Sequence, residues 1–95
     1  MLVKNMTSDK GNKIANQFII NSPEKTAVFF QSYDSMICKN SLGEITLDEY
    51  YWNYSRTTLK YLAQFLRHTT GQAINGKADI QKMIDSGEYK LANLN

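Results

Sequence analysis

The spacing of apolar residues changes once along this chain, near Ser55, and that change limits the possible folds more than any other feature. Before it, apolar residues come in short runs: NQFIIN over 16–21, AVFFQSY over 27–33, SMICKN over 35–40 and ITL over 45–47. These runs are rich in β-branched and aromatic residues and are bounded by Pro, Gly, Ser and Asp, the pattern of strands joined by tight turns. After it, Leu59, Leu62, Ala63 and Leu66 recur at intervals of three and four, which places them on one side of an amphipathic helix.

The spacing predicts an α+β domain. A small antiparallel sheet of three or four strands in a meander is packed by one long amphipathic helix. Asn53 or Ser55 is placed to cap the helix and Gly71 to end it. A short C-terminal helix follows over 78–87, with Ile80, Met83 and Ile84 on one face and Gly87 just past its end. Residues 88–95 either add a strand or lay Tyr89, Leu91 and Leu94 on the core. Residues 1–13, with a Ser-Asp-Lys-Gly-Asn run at 8–12, read as a flexible N-terminal tail, leaving 14–95 as the folded domain. An open sheet of this size has two edges, so a homodimer through one of them is a possible assembly.

Composition excludes more than it selects. A chain of 95 residues is expected to form one domain, and 12% aromatic content argues against disorder. One cysteine, Cys38, cannot close an intrachain disulfide, and with the single histidine, His68, it cannot build a Cys/His metal site. The opening MLVKNMTSDKGNK carries no apolar stretch of signal-sequence length, and no run approaches the ~18 apolar residues of a membrane helix. The expectation is a soluble cytoplasmic protein with no membrane partner.

No catalytic constellation emerges from the residue types. His68 lies on the same predicted helix as Ser55 but about 20 Å along it, at ~1.5 Å per residue, so the two cannot meet. Cys38 reads as a small buried hydrophobe in a strand. Asp34, Asp48 and Glu49 are the acids a metal-dependent nuclease could use, but adjacent strand residues point apart. Asp48 and Glu49 read more simply as carboxylates favouring a nearby helix start. The glycines match no phosphate-loop spacing. The chain is therefore expected to be non-enzymatic, with no metal and no cofactor.

Charge placement is more informative than net charge, which is only +2. Between Glu49 and Asp79 there is no acidic residue, while Arg56, Lys60, Arg67 and Lys77 all fall in that window. Arg56, Lys60, Gln64 and Arg67 follow one another at helical spacing and are predicted to share the outward face of the long helix. Tyr50 and Tyr54 precede that face. Arg56, Lys60, Gln64, Arg67, Tyr50, Tyr54 and Lys77 are therefore the candidate binding residues. Their chemistry fits an acidic protein patch or a phosphate backbone. Ser55, Thr57 and Thr58 at the helix start could also hold one anion, or could be used up by capping.

The stretches NQFII, FQSYDS, YWNYSRTTLKYLAQFL and SGEYKLANLN resemble a group of small, largely uncharacterised proteins encoded by phages and other mobile elements of Gram-positive bacteria. The matching positions are Asn16–Ile20, Phe30–Ser35, Ile37, Gly43, Leu47–Asp48, Tyr51–Trp52, Tyr54–Ser55, Thr57–Thr58, Lys60–Tyr61, Phe65–Leu66, Ser86–Tyr89, Leu91 and Leu94–Asn95. The resemblance covers roughly residues 16–95 and implies an origin rather than a reaction. By analogy with small accessory proteins of that origin, it implies stoichiometric binding to a host protein, such as inhibition of a host defence nuclease in the manner of an anti-CRISPR protein. A small nucleic-acid-binding module working through the basic helix face is the alternative.

Overall fold

The computed structural model describes residues 2–24 and 26–95. Six strands form one sheet in sequence order: β1 (Leu2–Thr7), β2 (Lys13–Asn21), β3 (Ala27–Ser32), β4 (Ser35–Ser41), β5 (Glu44–Asp48) and β6 (Tyr89–Ala92). Helices α1 (Arg56–Thr70) and α2 (Lys77–Asp85) lie between β5 and β6 in the chain. The fold is α+β, as the change of spacing predicts. The first five strands form an antiparallel meander, and β6 pairs parallel to β5. A parallel neighbour needs a crossover connection, and the two helices supply it.

The sheet is larger than expected, and the difference begins at the N-terminus. The segment read as a tail contains β1, paired with β2 from Leu2 opposite Asn21 to Thr7 opposite Lys13. Its polar Ser-Asp-Lys-Gly-Asn run is a hairpin turn, closed by bonds from Ser8 N–H to the Asn12 carbonyl and from Gly11 N–H to the Ser8 carbonyl. Leu2 and Val3 stay exposed and only Met6 of this strand enters the core, so β1 lacks the apolar alternation that reveals a strand in sequence. β2 likewise starts at Lys13, ahead of its apolar run.

Both helices cover one face of the sheet. Phe65 of α1 stacks on Phe30 of β3 with ring centroids 5.8 Å apart. Leu62, Leu66 and Ile80 share one buried cluster with Cys38, Ile45 and Leu47. Successive strand residues point to opposite faces, and a bulge in β4 modifies that rule here. Phe30 pairs with Cys38 but Gln31 pairs with Met36, so Ile37 is the extra residue, and Ile37 and Cys38 are both buried.

The helix ends follow their capping chemistry. Ser55 is the N-cap of α1, with its Oγ accepting from Thr58 N–H at 3.1 Å. Gly71 ends α1 in the left-handed region at φ 75°, donating its N–H to the Arg67 carbonyl. After α2, Gly87 N–H reaches the Ile84 carbonyl and Glu88 N–H the Met83 carbonyl, the paired bonds that close a helix with a glycine past its end.

Candidate binding surface at the head of the long helix

Asp48 organises this end of the molecule. It is the last residue of β5 and only 2% exposed. Its Oδ2 accepts from the N–H groups of Tyr50 (3.1 Å) and Tyr51 (2.8 Å). Its Oδ1 accepts from Leu94 N–H (2.8 Å) and from Asn95 Nδ2 (3.0 Å). Burial pushes this carboxyl up, but the four bonds outweigh it and hold the group below its ordinary value. Two of those donors belong to the β5–α1 connection, so the carboxylate fixes the path of that loop. Trp52, 7% exposed, anchors the loop in the core.

The fixed loop brings three tyrosines together. Tyr50 and Tyr51 meet edge to face at 4.8 Å, Tyr51 and Tyr54 lie 5.6 Å apart, and Tyr50 and Tyr54 lie 6.3 Å apart. These are separations at which aromatic rings attract one another. Tyr51 is partly buried against the core, whereas Tyr50 and Tyr54 are 69% and 66% exposed.

A cleft of about 300 Å³ opens between these rings and the β3–β4 turn. Tyr51 and Tyr54 line it from the loop, Tyr33 and Ser35 from the turn, and Ser32, Ser55 and Thr58 from below. Tyr33 is 58% exposed and sits in the left-handed region at φ 53°. Its N–H donates to the Asn16 carbonyl at 2.7 Å, which holds the backbone there. Within the floor, the Ser55 hydroxyl donates to Thr58 Oγ1 at 3.1 Å, and Thr58 Oγ1 lies 3.3 Å from Ser32 Oγ. Three hydroxyl hydrogens serve two internal bonds, so one lies outside the set.

The expected binding residues divide into two groups. Tyr50 and Tyr54 belong to the tyrosine cluster, and Arg56 and Lys60 follow on the exposed face of α1. Among the described residues the only ion pair is Lys90 with Glu44, so neither Arg56 nor Lys60 meets a carboxylate. Lys60 Nζ stands 5.2 Å from the centroid of the Tyr61 ring. Gln64 corrects the expectation: it is 8% exposed, not outward, and its Nε2 donates to the Thr7 carbonyl at 2.9 Å. β1, absent from the predicted fold, covers that part of the helix. Arg67 lies in the last turn of α1, with Nη1 bound to the Ile74 carbonyl at 2.7 Å. Arg67 is about 16 Å along the helix from Arg56, and Lys77 begins α2 beyond it. Sequence reasoning did not place Ser32, Tyr33 and Ser35 at a site; Tyr33 read as the end of a strand, and its outward turn depends on backbone geometry that residue spacing does not encode.

The other candidates separate. Neither Asp48 nor Glu49 lies in the first turn of α1, which holds no acid. Among the described residues no three His, Cys, Asp or Glu side chains converge, and Asp48 has both oxygens engaged. Cys38 is fully buried, and burial raises its thiol far above the ordinary value, while His68 is exposed in the last turn of α1. Among the described residues no helix is long and apolar enough to cross a membrane.

Residues 1–82 match a family of unknown function, DUF8033. The chain belongs to that family. The DUF8033 match takes in five strands, all of α1 and every tyrosine of the cluster, while β6 and the Asn95 contact to Asp48 lie past its end. No curated protein and no solved structure matches the chain.

Proposed function

We propose that this protein acts without catalysis, by stoichiometric binding of one partner protein through the head of α1. The observation that carries this reading is the junction of two exposed tyrosines with two cations, Arg56 and Lys60, that pair with no carboxylate among the described residues. Tyrosine and arginine supply much of the energy of protein interfaces, because they bury large area and make polar contacts with little loss of side-chain freedom. The cations select a partner with an acidic patch. The sequence resemblance adds the context: a phage or mobile-element accessory protein in the host cytoplasm, whose partner is a host protein such as a defence nuclease.

The test is capture from a host lysate, with the wild type compared to the double variant Arg56→Glu/Lys60→Glu. The expected result is one host protein retained by the wild type and released by the variant. Equal retention by both would remove the proposed surface, and no retention by the wild type would remove the function.

Nucleic acid is the second reading, favoured by flat exposed rings beside cations, a combination that stacks bases and contacts phosphates. With Gln64 buried and Arg67 bound to backbone, two cations remain at the cluster. At ~0.9 counterions per phosphate contact they give a salt slope of only about −2. Absence of a mobility shift with DNA and RNA at about 50 mM salt excludes this reading.

A further inference from the structure

The cleft beside the tyrosine cluster has a lining with an unusual chemical bias. Every side chain on it is aromatic, hydroxylated or, for Ile37, aliphatic, and none is a carboxylate, an ammonium or a guanidinium. Its charged neighbours sit on opposite rims. Asp34, between Tyr33 and Ser35, is exposed on the turn side, and Arg56, next to Ser55, is exposed on the helix side, with Lys60 one turn further on. We infer that the cleft receives a proline-bearing extended segment of the protein partner, and that acidic residues flanking the proline lie over Arg56 and Lys60. This rests on the protein-binding reading above and specifies the chemistry of the bound segment.

Three features support this occupant. Tyrosine faces pack well on the flat, saturated ring of proline, and aromatic-lined grooves are the general means of holding such segments. A polyproline II segment makes no internal hydrogen bonds, so its carbonyls need donors from outside. The cleft lining carries such groups: the hydroxyls of Tyr33, Tyr51 and Tyr54, and those of Ser32, Ser55 and Thr58, which spend two of their three hydrogens on one another. Its volume, about 300 Å³, is at the lower end for ligand sites and suits a short stretch of chain. The rim charges then set direction. Asp34 repels an acidic flank on the turn side while Arg56 attracts it on the helix side, so one of the two orientations open to a pseudo-symmetric proline helix is selected.

The experiment is an NMR amide titration of the whole chain with three synthetic peptides. One carries a Pro-x-x-Pro core and an acidic flank, the second has both prolines replaced by alanine, and the third has a lysine flank. The expected result is saturable shifts at Tyr33, Tyr54, Ser55 and Thr58 with the first peptide, and binding about tenfold or more weaker for each of the other two. Tyr54→Ala should weaken the first peptide similarly. Tyr54→Phe, which keeps the ring and removes the donor, separates stacking from hydrogen bonding and checks that loss of binding is not loss of fold. If the alanine peptide binds as well as the proline peptide, the cleft inference is overturned, while acidic recognition by Arg56 and Lys60 stands. If the proline peptide causes no shift near the cleft at about 1 mM, the inference is likewise overturned, and the lysate capture decides the broader function independently.

Discussion

Asp48 and Asn95 are joined by a 3.0 Å hydrogen bond from Asn95 Nδ2 to Asp48 Oδ1, although 47 positions separate them in the chain. Asn95 also donates its other contact to the Met36 carbonyl at 3.0 Å and accepts from Met36 N–H at 2.8 Å. One C-terminal side chain therefore ties β4 to the carboxylate that shapes the tyrosine loop. Replacing Asp48 by alanine should cost about 3 kcal/mol in urea unfolding, because four part-buried donors lose a charged acceptor together. The loss should be accompanied by broadened tyrosine resonances at the cluster.

The same carboxylate makes stability depend on acid. Its folded-state value is depressed, so its contribution is present in full above the unfolded value of about 3.9 and is lost as pH falls through the lower folded value. The melting temperature should therefore fall below about pH 4 more steeply in the wild type than in Asp48→Asn, which has no proton to gain. Equal slopes in the two proteins would show that other carboxylates dominate acid unfolding.

Phe65→Ala should destabilise by about 3–5 kcal/mol, since it removes the ring stacked on Phe30 and leaves a cavity between helix and sheet. The measurement is the urea midpoint at an unchanged m-value, which separates lost stability from a changed denatured state.

Gly71→Ala should cost about 1–2 kcal/mol for a purely backbone reason. A Cβ there would meet no atom within 4 Å, but φ at 75° is disfavoured for an L side chain. Asparagine at this position should recover part of the loss in thermal denaturation, because it tolerates the left-handed region better.

Gln64→Ala should loosen β1. Without its amide, the Thr7 carbonyl loses its side-chain donor, at about 1 kcal/mol. Hydrogen exchange at Val3–Met6 should quicken while exchange in β4 stays slow.

Much of the fold is legible because one residue type in one place decides it. Ser55 as cap, Gly71 and Gly87 as stops, and Leu62 and Leu66 as the inward helix face follow from local rules about spacing and backbone freedom. The features that escape sequence reading depend on contacts between distant segments. β1 has no apolar alternation and is held by pairing with β2, by Met6 in the core and by one glutamine, so its burial of Gln64 could not be read from spacing. Asp48 is similar: adjacent acids near a helix start resemble dipole partners, and only the return of the C-terminus shows a carboxylate saturated with donors. At the candidate site, Tyr50, Tyr54, Arg56 and Lys60 were visible as a cluster in the chain, but the opposite wall, Tyr33 and Ser35, arrives from a turn some twenty residues earlier.

Cys38 gives the molecule an internal clock. It is the chain's single thiol, it lies at the centre of the core, and burial keeps it protonated at any ordinary pH. A disulfide reagent can therefore reach it only when the β4 region separates from α1. The rate at which the intact protein is labelled measures how often the sheet and helix part. Comparing that rate with and without a bound partner would report whether binding at the tyrosine loop tightens the whole molecule or only its surface.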